Sequence, residues 1–138
     1  MNQITVRRMK AEEVSRVREL FESVYQETVS PSVPDFEEAT AGEAVYVALL
    51  NDRVVGMATV WESDCFIHFL FVDPAARHKK VGSTLINALA QEYSRPLTLK
   101  CLVKNTGGLA FYSAIGFEEQ GTGTSEDGAY LLLCYPKK

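Results

Sequence analysis

Apolar positions recur along the chain with two different periods, and the switches between them predict the elements. Ile4-Thr5-Val6 is a short β-type start. From Ala11 to about Tyr25 the apolar residues Val14, Val17, Phe21 and Val24 return at helical spacing, with Leu20 and Tyr25 widening the stripe. Arg16, Arg18, Glu19 and Glu22 take the opposite face, and no Ser, Thr, Asp or Asn stands where an N-cap belongs. Thr28 to Gly42 is broken by Pro31 and Pro34 and acidic at Asp35, Glu37 and Glu38. It reads as a loop with one helical turn after Pro34, and both a substrate lid and a plain connection fit it. Ala44–Leu50 and Val54–Trp61 are apolar, β-branched runs around Asn51-Asp52-Arg53, the pattern of an antiparallel hairpin. After a turn at Glu62-Ser63-Asp64, the run Phe66–Val72 forms the third strand of a meander.

Asp73 and Pro74 end that run, because proline offers no N–H to a ladder and restrains the residue before it. The basic loop Arg77-His78-Lys79-Lys80 follows, and Val81-Gly82-Ser83-Thr84 opens a helical pattern. A buried strand, a loop with Gly and cations, and a helix N-terminus together form an anion cradle. The helix carries Leu85, Ile86, Leu89 and Tyr93 and stops near Ser94, ahead of Pro96. Leu97–Val103 reads as a strand. Asn105-Thr106-Gly107-Gly108 is a turn able to cap a short helix with Leu109, Tyr112 and Ile115, closed by Gly116. Phe117–Thr124 and Ala129–Tyr135 make a last hairpin around Ser125-Glu126-Asp127-Gly128. The order β-α-loop-β-β-β-α-β-α-β-β, without repeat or linker, predicts one α/β domain over residues 1–138 with a mixed sheet.

Composition narrows the function classes. A net charge of −4 and a pI near 5.2 argue against a nucleic-acid binder, which needs a basic field. No apolar run approaches the roughly 20 residues that span a bilayer, and the N-terminal residues lack the apolar core of a signal peptide. Cys65, Cys101 and Cys134 are odd in number, widely spaced and set among apolar neighbours. They read as small buried hydrophobes in a reducing cytoplasm. No metal-ligand spacing and no Ser-His-Asp or Cys-His arrangement is present, so neither metal chemistry nor hydrolysis is expected.

At the cradle the sequence resembles the GNAT (GCN5-related) N-acetyltransferase superfamily. Its signature V-x-P-x-x-[QR]-x-x-G-x-[GA] is followed by Val72, Pro74, Arg77 and Gly82, with Lys80 in place of the first glycine. A second signature, N-x-x-[AG]-x-x-F-Y-x-x-x-G-F, is intact as Asn105, Gly108, Phe111, Tyr112, Gly116 and Phe117. The resemblance implies acetyl-CoA as cosubstrate, a GNAT-like fold with a splayed central strand pair, and an amine-bearing acceptor. It implies that backbone groups of Leu70, Phe71 and Val72 pair with the pantetheine arm. The pyrophosphate would lie on the loop of Arg77, His78, Lys79, Lys80, Val81, Gly82 and Ser83, and Asn105 would touch the cofactor through its side chain. Homodimers are common in the family, so that assembly is open to this chain.

Acetyl transfer to an amine makes three demands. The amine must be neutral, although an alkylammonium of pKa about 10.4 is neutral in only about one part in a few thousand at pH 7. The oxyanion needs a donor, and an N–H near Leu70 can supply one. The leaving thiolate needs a proton. Tyr112 matches the family's usual general acid, the alternative being a half-buried core aromatic. His68 lies on the splayed strand where some members carry a glutamate, and is the candidate base; by the period-2 rule it shares a face with Phe66, Leu70 and Val72 unless a bulge intervenes. A packed, non-catalytic histidine with a water relay to solvent is the competing reading. His78 reads as a solvated neighbour of phosphate, and Asp64 and Asp73 as turn formers. Lys80 meets a cost of about 1–2 kcal/mol if left-handed, or stays right-handed and turns its ammonium toward the phosphates. A non-catalytic acyl-CoA-binding or regulatory domain of the same fold remains the alternative function.

Overall fold

The computed structural model describes residues 3–136. Strand β1 (Ile4–Arg8) leads through a 3-10 turn (Ala11–Glu13) into helix α1 (Val14–Thr28). A short helix α2 (Phe36–Ala39) precedes the meander β2 (Ala44–Leu50), β3 (Arg53–Trp61) and β4 (Phe66–Val72). Helix α3 (Val81–Glu92), strand β5 (Leu97–Leu102), helix α4 (Thr106–Ile115) and the hairpin β6 (Glu118–Ser125) and β7 (Gly128–Tyr135) complete the chain. The strands form one seven-stranded mixed sheet in the order β1-β2-β3-β4-β5-β7-β6, antiparallel except where β4 meets β5.

Each face of the sheet buries a different stripe. Helix α1 lays Val17, Leu20, Phe21 and Val24 on Val47, Met57 and Phe71. Phe36, only 3% exposed, sets its ring edge-on to Phe21 and so pins the Thr28–Gly42 segment to this core. On the other face α3 buries Val81, Leu85, Ile86 and Leu89 against Ala58, Val60 and Ile67. Helix α4 packs Leu109, Tyr112 and Ile115 on the same side. Complete burial of one such leucine is worth about 1.5–3 kcal/mol. The three cysteines are free and buried.

Local chemistry explains the boundaries. No side chain caps α1 itself; the 3-10 turn before it is capped instead, the Glu13 carboxylate accepting from the Lys10 N–H at 2.8 Å and from Arg7 at 2.9 and 2.7 Å. Asn51 and Asp52 both take positive φ (53° and 67°), the conformation that matches a two-residue turn to the twist of the β2–β3 hairpin. Asp73 accepts from the Ala75 N–H at 2.9 Å, forming the expected turn, and also pairs with Arg16 of α1 at 2.6 Å. At Gly56 a β-carbon would come within 2.9 Å of Val81, so the missing side chain lets the first turn of α3 lie directly on β3. The far end of α3 is tied down by Tyr93, whose hydroxyl donates to Glu62 at 2.6 Å and lies 2.9 Å from that of Tyr46.

Paired carboxylates set the acid limit of this arrangement. The hydrogen bonds from Arg7 hold Glu13 at about 2, below its ordinary 4.5. Asp73 is lowered by the Ala75 N–H and then by Arg16, and Glu27 by Arg77. A carboxylate with a depressed folded-state pKa contributes stability that is complete above its unfolded value and lost as pH falls through the folded one. Stability should therefore hold down to about pH 4.5 and decline toward pH 2. In urea titrations Glu13→Gln should be less stable than wild type at neutral pH and converge with it near pH 2.

Candidate functional site

Strands β4 and β5 run parallel but pair only at Phe66–Thr98 and Ile67–Leu99, and then separate. On its other edge β4 stays paired with β3 as far as Val72. The Phe69 N–H donates to Thr59 Oγ1 at 3.2 Å and the Asp73 N–H to the Val55 carbonyl at 2.8 Å, both toward β3. Alternation along the strand then turns the backbone groups of Leu70 and Val72 into the gap. Phe71 departs from the expected set of three gap residues. Its backbone faces β3, and its side chain is buried beneath α1.

A bulge interrupts β4 at His68. Thr59 pairs with Phe69 and Val60 with Ile67, leaving His68 without a partner on β3. Residues 68 and 69 therefore project to one side, and their rings stack at 3.9 Å between centroids. This corrects the simple alternation: His68 is on the α1 side with Phe69, whereas Leu70 and Val72 pack on the α3 side. His68 Nδ1 lies 2.7 Å from Glu43 Oε2. The Glu43 side chain is only 8% exposed, and its Oε1 is buried without a hydrogen-bond partner. No sequence signal joins the two residues, which are 25 positions apart.

The gap opens into a cavity of about 950 Å³. At one end lies the N-terminus of α3, whose first helical bond runs from the Thr84 N–H to the Lys80 carbonyl at 3.0 Å. Among the described residues the N–H groups of His78 to Ser83 have no acceptor, and no side chain caps the helix. His78 and Lys80 both adopt positive φ (66° and 68°), with a residue between them, a geometry that gathers successive N–H groups into an anion-binding concavity. Lys80 is thus left-handed rather than right-handed, because the chain must turn sharply at the N-cap to enter the helix.

The remaining candidates divide by their partners. Arg77 borders the cavity but is held by Glu27 of α1 through two bonds of 2.8 and 2.6 Å. His78, Lys80, Val81, Gly82 and Ser83 also line it, while Lys79 does not. Asn105 accepts from the Gly108 N–H at 3.0 Å, so its carbonyl oxygen caps α4 and its amide nitrogen makes no protein hydrogen bond. Gly82 is required for packing: a β-carbon there would lie 2.8 Å from the Phe111 ring. The next residue, Tyr112, is half-buried on the cavity wall, and its hydroxyl has no protein partner among the described residues. Burial, and secondarily Cys101, raise this phenol above its ordinary range. Burial likewise pushes the Cys101 thiol up to about 11, so it is a neutral wall group rather than a nucleophile. Tyr25, His68, Lys100 and Asp127 also line the cavity. Among the described residues no three His, Cys, Asp or Glu side chains are grouped to hold a metal, and no helix is long and apolar enough to cross a membrane.

Residues 14–117 match the family model described as Acetyltransferase (GNAT) family. An uncharacterized N-acetyltransferase of Methanocaldococcus jannaschii is 34% identical over 92 residues, a match covering 56% of this chain and 40% of that protein's length. An N-acetyltransferase structure from Staphylococcus aureus Mu50 aligns over 99% of both chains with a TM-score of 0.76 and 21% identity. A GNAT family acetyltransferase from Elizabethkingia anophelis, solved with acetyl-CoA bound, aligns over 96% of this chain and 97% of its own, with a TM-score of 0.77 and 15% identity. At these identities the two structures speak for the fold.

The left-handed Lys80 has a measurable cost. Relief of about 1–2 kcal/mol of strain, less the entropy of an added glycine at roughly 0.5–1 kcal/mol, makes Lys80→Gly stabilising. A rise in Tm of about 2–4 °C is expected in a thermal melt, and a fall would show that the lysine side chain itself braces the loop.

Proposed function

The chain belongs to the acetyltransferase (GNAT) family, and from that premise we propose that it transfers the acetyl group of acetyl-CoA to a primary amine of a small molecule or peptide. One observation carries this furthest: a single cavity joins the free backbone edge of Leu70 and Val72, the unpaired N–H groups of His78 to Ser83, and the unpartnered hydroxyl of Tyr112. Each fits a different part of the cosubstrate. The N–H groups at the helix N-terminus suit a pyrophosphate, which the helix dipole also favours. The strand edge suits the amides of a pantetheine arm, which would add to the sheet much as a peptide strand does. The acetyl-CoA-bound relative of the same fold supports the choice of cosubstrate.

When bound, acetyl-CoA supplies a thioester, an acyl group already activated toward an amine. The chain's own residues then have separate tasks. The Leu70 N–H donates to the carbonyl oxygen as negative charge grows there. Tyr112, kept protonated by burial, donates a proton to the departing sulfur. His68 takes a proton from the acceptor amine. Arg77 contributes little charge to the phosphates while Glu27 holds it, so the cradle works mainly through backbone dipoles and the ammonium of Lys80.

Three measurements test this. An amine panel coupled to thiol detection should find acceptors that release free CoA; acetyl-CoA binding without release for any amine would favour a binding or regulatory role. Tyr112→Phe should lower kcat by about 10²-fold or more with acetyl-CoA affinity nearly unchanged, and equal turnover from about pH 6 to pH 9 would remove Tyr112 as the acid. Lys80→Gly should keep acetyl-CoA affinity within about tenfold, roughly 1.4 kcal/mol. A much larger loss would make the ammonium, rather than the backbone, the anchor.

A further inference from the structure

The contact between His68 and Glu43 differs from every other acidic contact of the site. Glu27 and Asp73 are each held by a guanidinium at a part-exposed position. The Glu43 side chain is more than nine-tenths buried, and among the described residues it pairs with no Lys or Arg and has a single hydrogen-bond partner, Nδ1 of His68 at 2.7 Å. Its second oxygen is buried with no partner. A desolvated carboxylate left half-satisfied is costly, and the His68 imidazole is the group placed to offset that cost by donating to it. The bulge in β4 brings His68 to this position, and the ring is 40% exposed and lines the cavity.

We propose that Glu43 is the positioning residue for His68, its buried carboxylate accepting from Nδ1–H so that Nε2 is left as the proton acceptor on the cavity side. The proposal rests on the acetyl-transfer reading above. The step it governs moves only a proton. The N–H bond of the acceptor's ammonium breaks, an Nε2–H bond forms, and the imidazolium later returns the proton to solvent from its exposed edge. Of the titratable and charged groups around this end of the cavity, Tyr25 on α1, Lys100 on β5 and Asp127 in the β6–β7 turn share the lining, and Glu37 of α2 is paired with Arg18. None of them is hydrogen-bonded to His68.

Nitrogen-15 NMR of the imidazole reads the arrangement without any turnover. Wild-type protein should show the neutral ring protonated at Nδ1, and Glu43→Gln should release that tautomer preference. With the best amine from the panel, Glu43→Gln should cut kcat about 10–100-fold and leave acetyl-CoA affinity unchanged. Glu43→Asp, which keeps the carboxylate, should restore part of the loss. In a His68→Gln background the Glu43→Gln change should add no further loss. A tautomer unchanged by Glu43→Gln, a wild-type ring protonated at Nε2, or a full additional loss in the double variant would overturn the proposal, the last by showing a purely structural role. A wild-type protein that releases no thiol with any amine fails the acetyl-transfer reading instead, and the NMR tautomer readout separates that failure from this one.

Discussion

The rest of the structure depends on β4 and β5 separating after only two residue pairs. Backbone groups that leave a ladder must find water or a ligand, since burying them unpaired is costly. The fold holds them apart by packing on both sides. Phe69 and Phe71 are engaged with Phe21 beneath α1, while Tyr112 and Ile115 of α4 pack on the opposite face. Strand β5 cannot swing back to close the gap, because it is paired with β7 along its whole length, from Leu97–Tyr135 to Leu102–Tyr130. The opening is thus the low-energy outcome of two well-packed neighbours, and it needs no local strain in β4 itself.

Much of this was legible in the sequence because periodicity is local. The α1 stripe, the Asn51-Asp52 hairpin and the order of the elements all follow from spacing and turn chemistry within a few residues, and two motifs pointed to the cavity wall. What escaped was non-local. The bulge at His68 arises from its register against Thr59 and Val60 on another strand, and nothing in Phe66–Val72 alone encodes it. Glu43, just past the acidic Thr28–Gly42 segment, carries no local signal, and only the fold brings it to His68. All of the expected trio Leu70, Phe71 and Val72 line the cavity, but peptide groups alternate in direction, a rule the motif does not display, and the backbone of Phe71 faces β3. The capped 3-10 turn ahead of α1 escaped for a related reason, since Glu13 holds it jointly with Arg7 from β1.

Charge in the site is distributed with some economy. The basic loop suggests a cluster of free cations, yet Arg77 is engaged by Glu27, and Lys79 lies off the cavity. Backbone N–H groups are therefore the main polar lining at that end, and they carry no counter-ion to be displaced. Two carboxylates near the cavity differ in setting: Asp127 borders it, whereas Glu43 is withdrawn behind His68.

The close approach of Gly82 to Phe111 joins two helices that serve opposite ends of the cavity. Gly82 lies in the first turn of α3, among the free N–H groups, and Phe111 immediately precedes Tyr112 on α4. The contact therefore acts as a spacer of fixed length between the anion end and the hydroxyl end. Any side chain at position 82 would lengthen it by displacing the ring at 111, and the shift would reach the hydroxyl one residue on. A substitution at position 82 is therefore felt at the Tyr112 hydroxyl as well as at the N-terminus of α3.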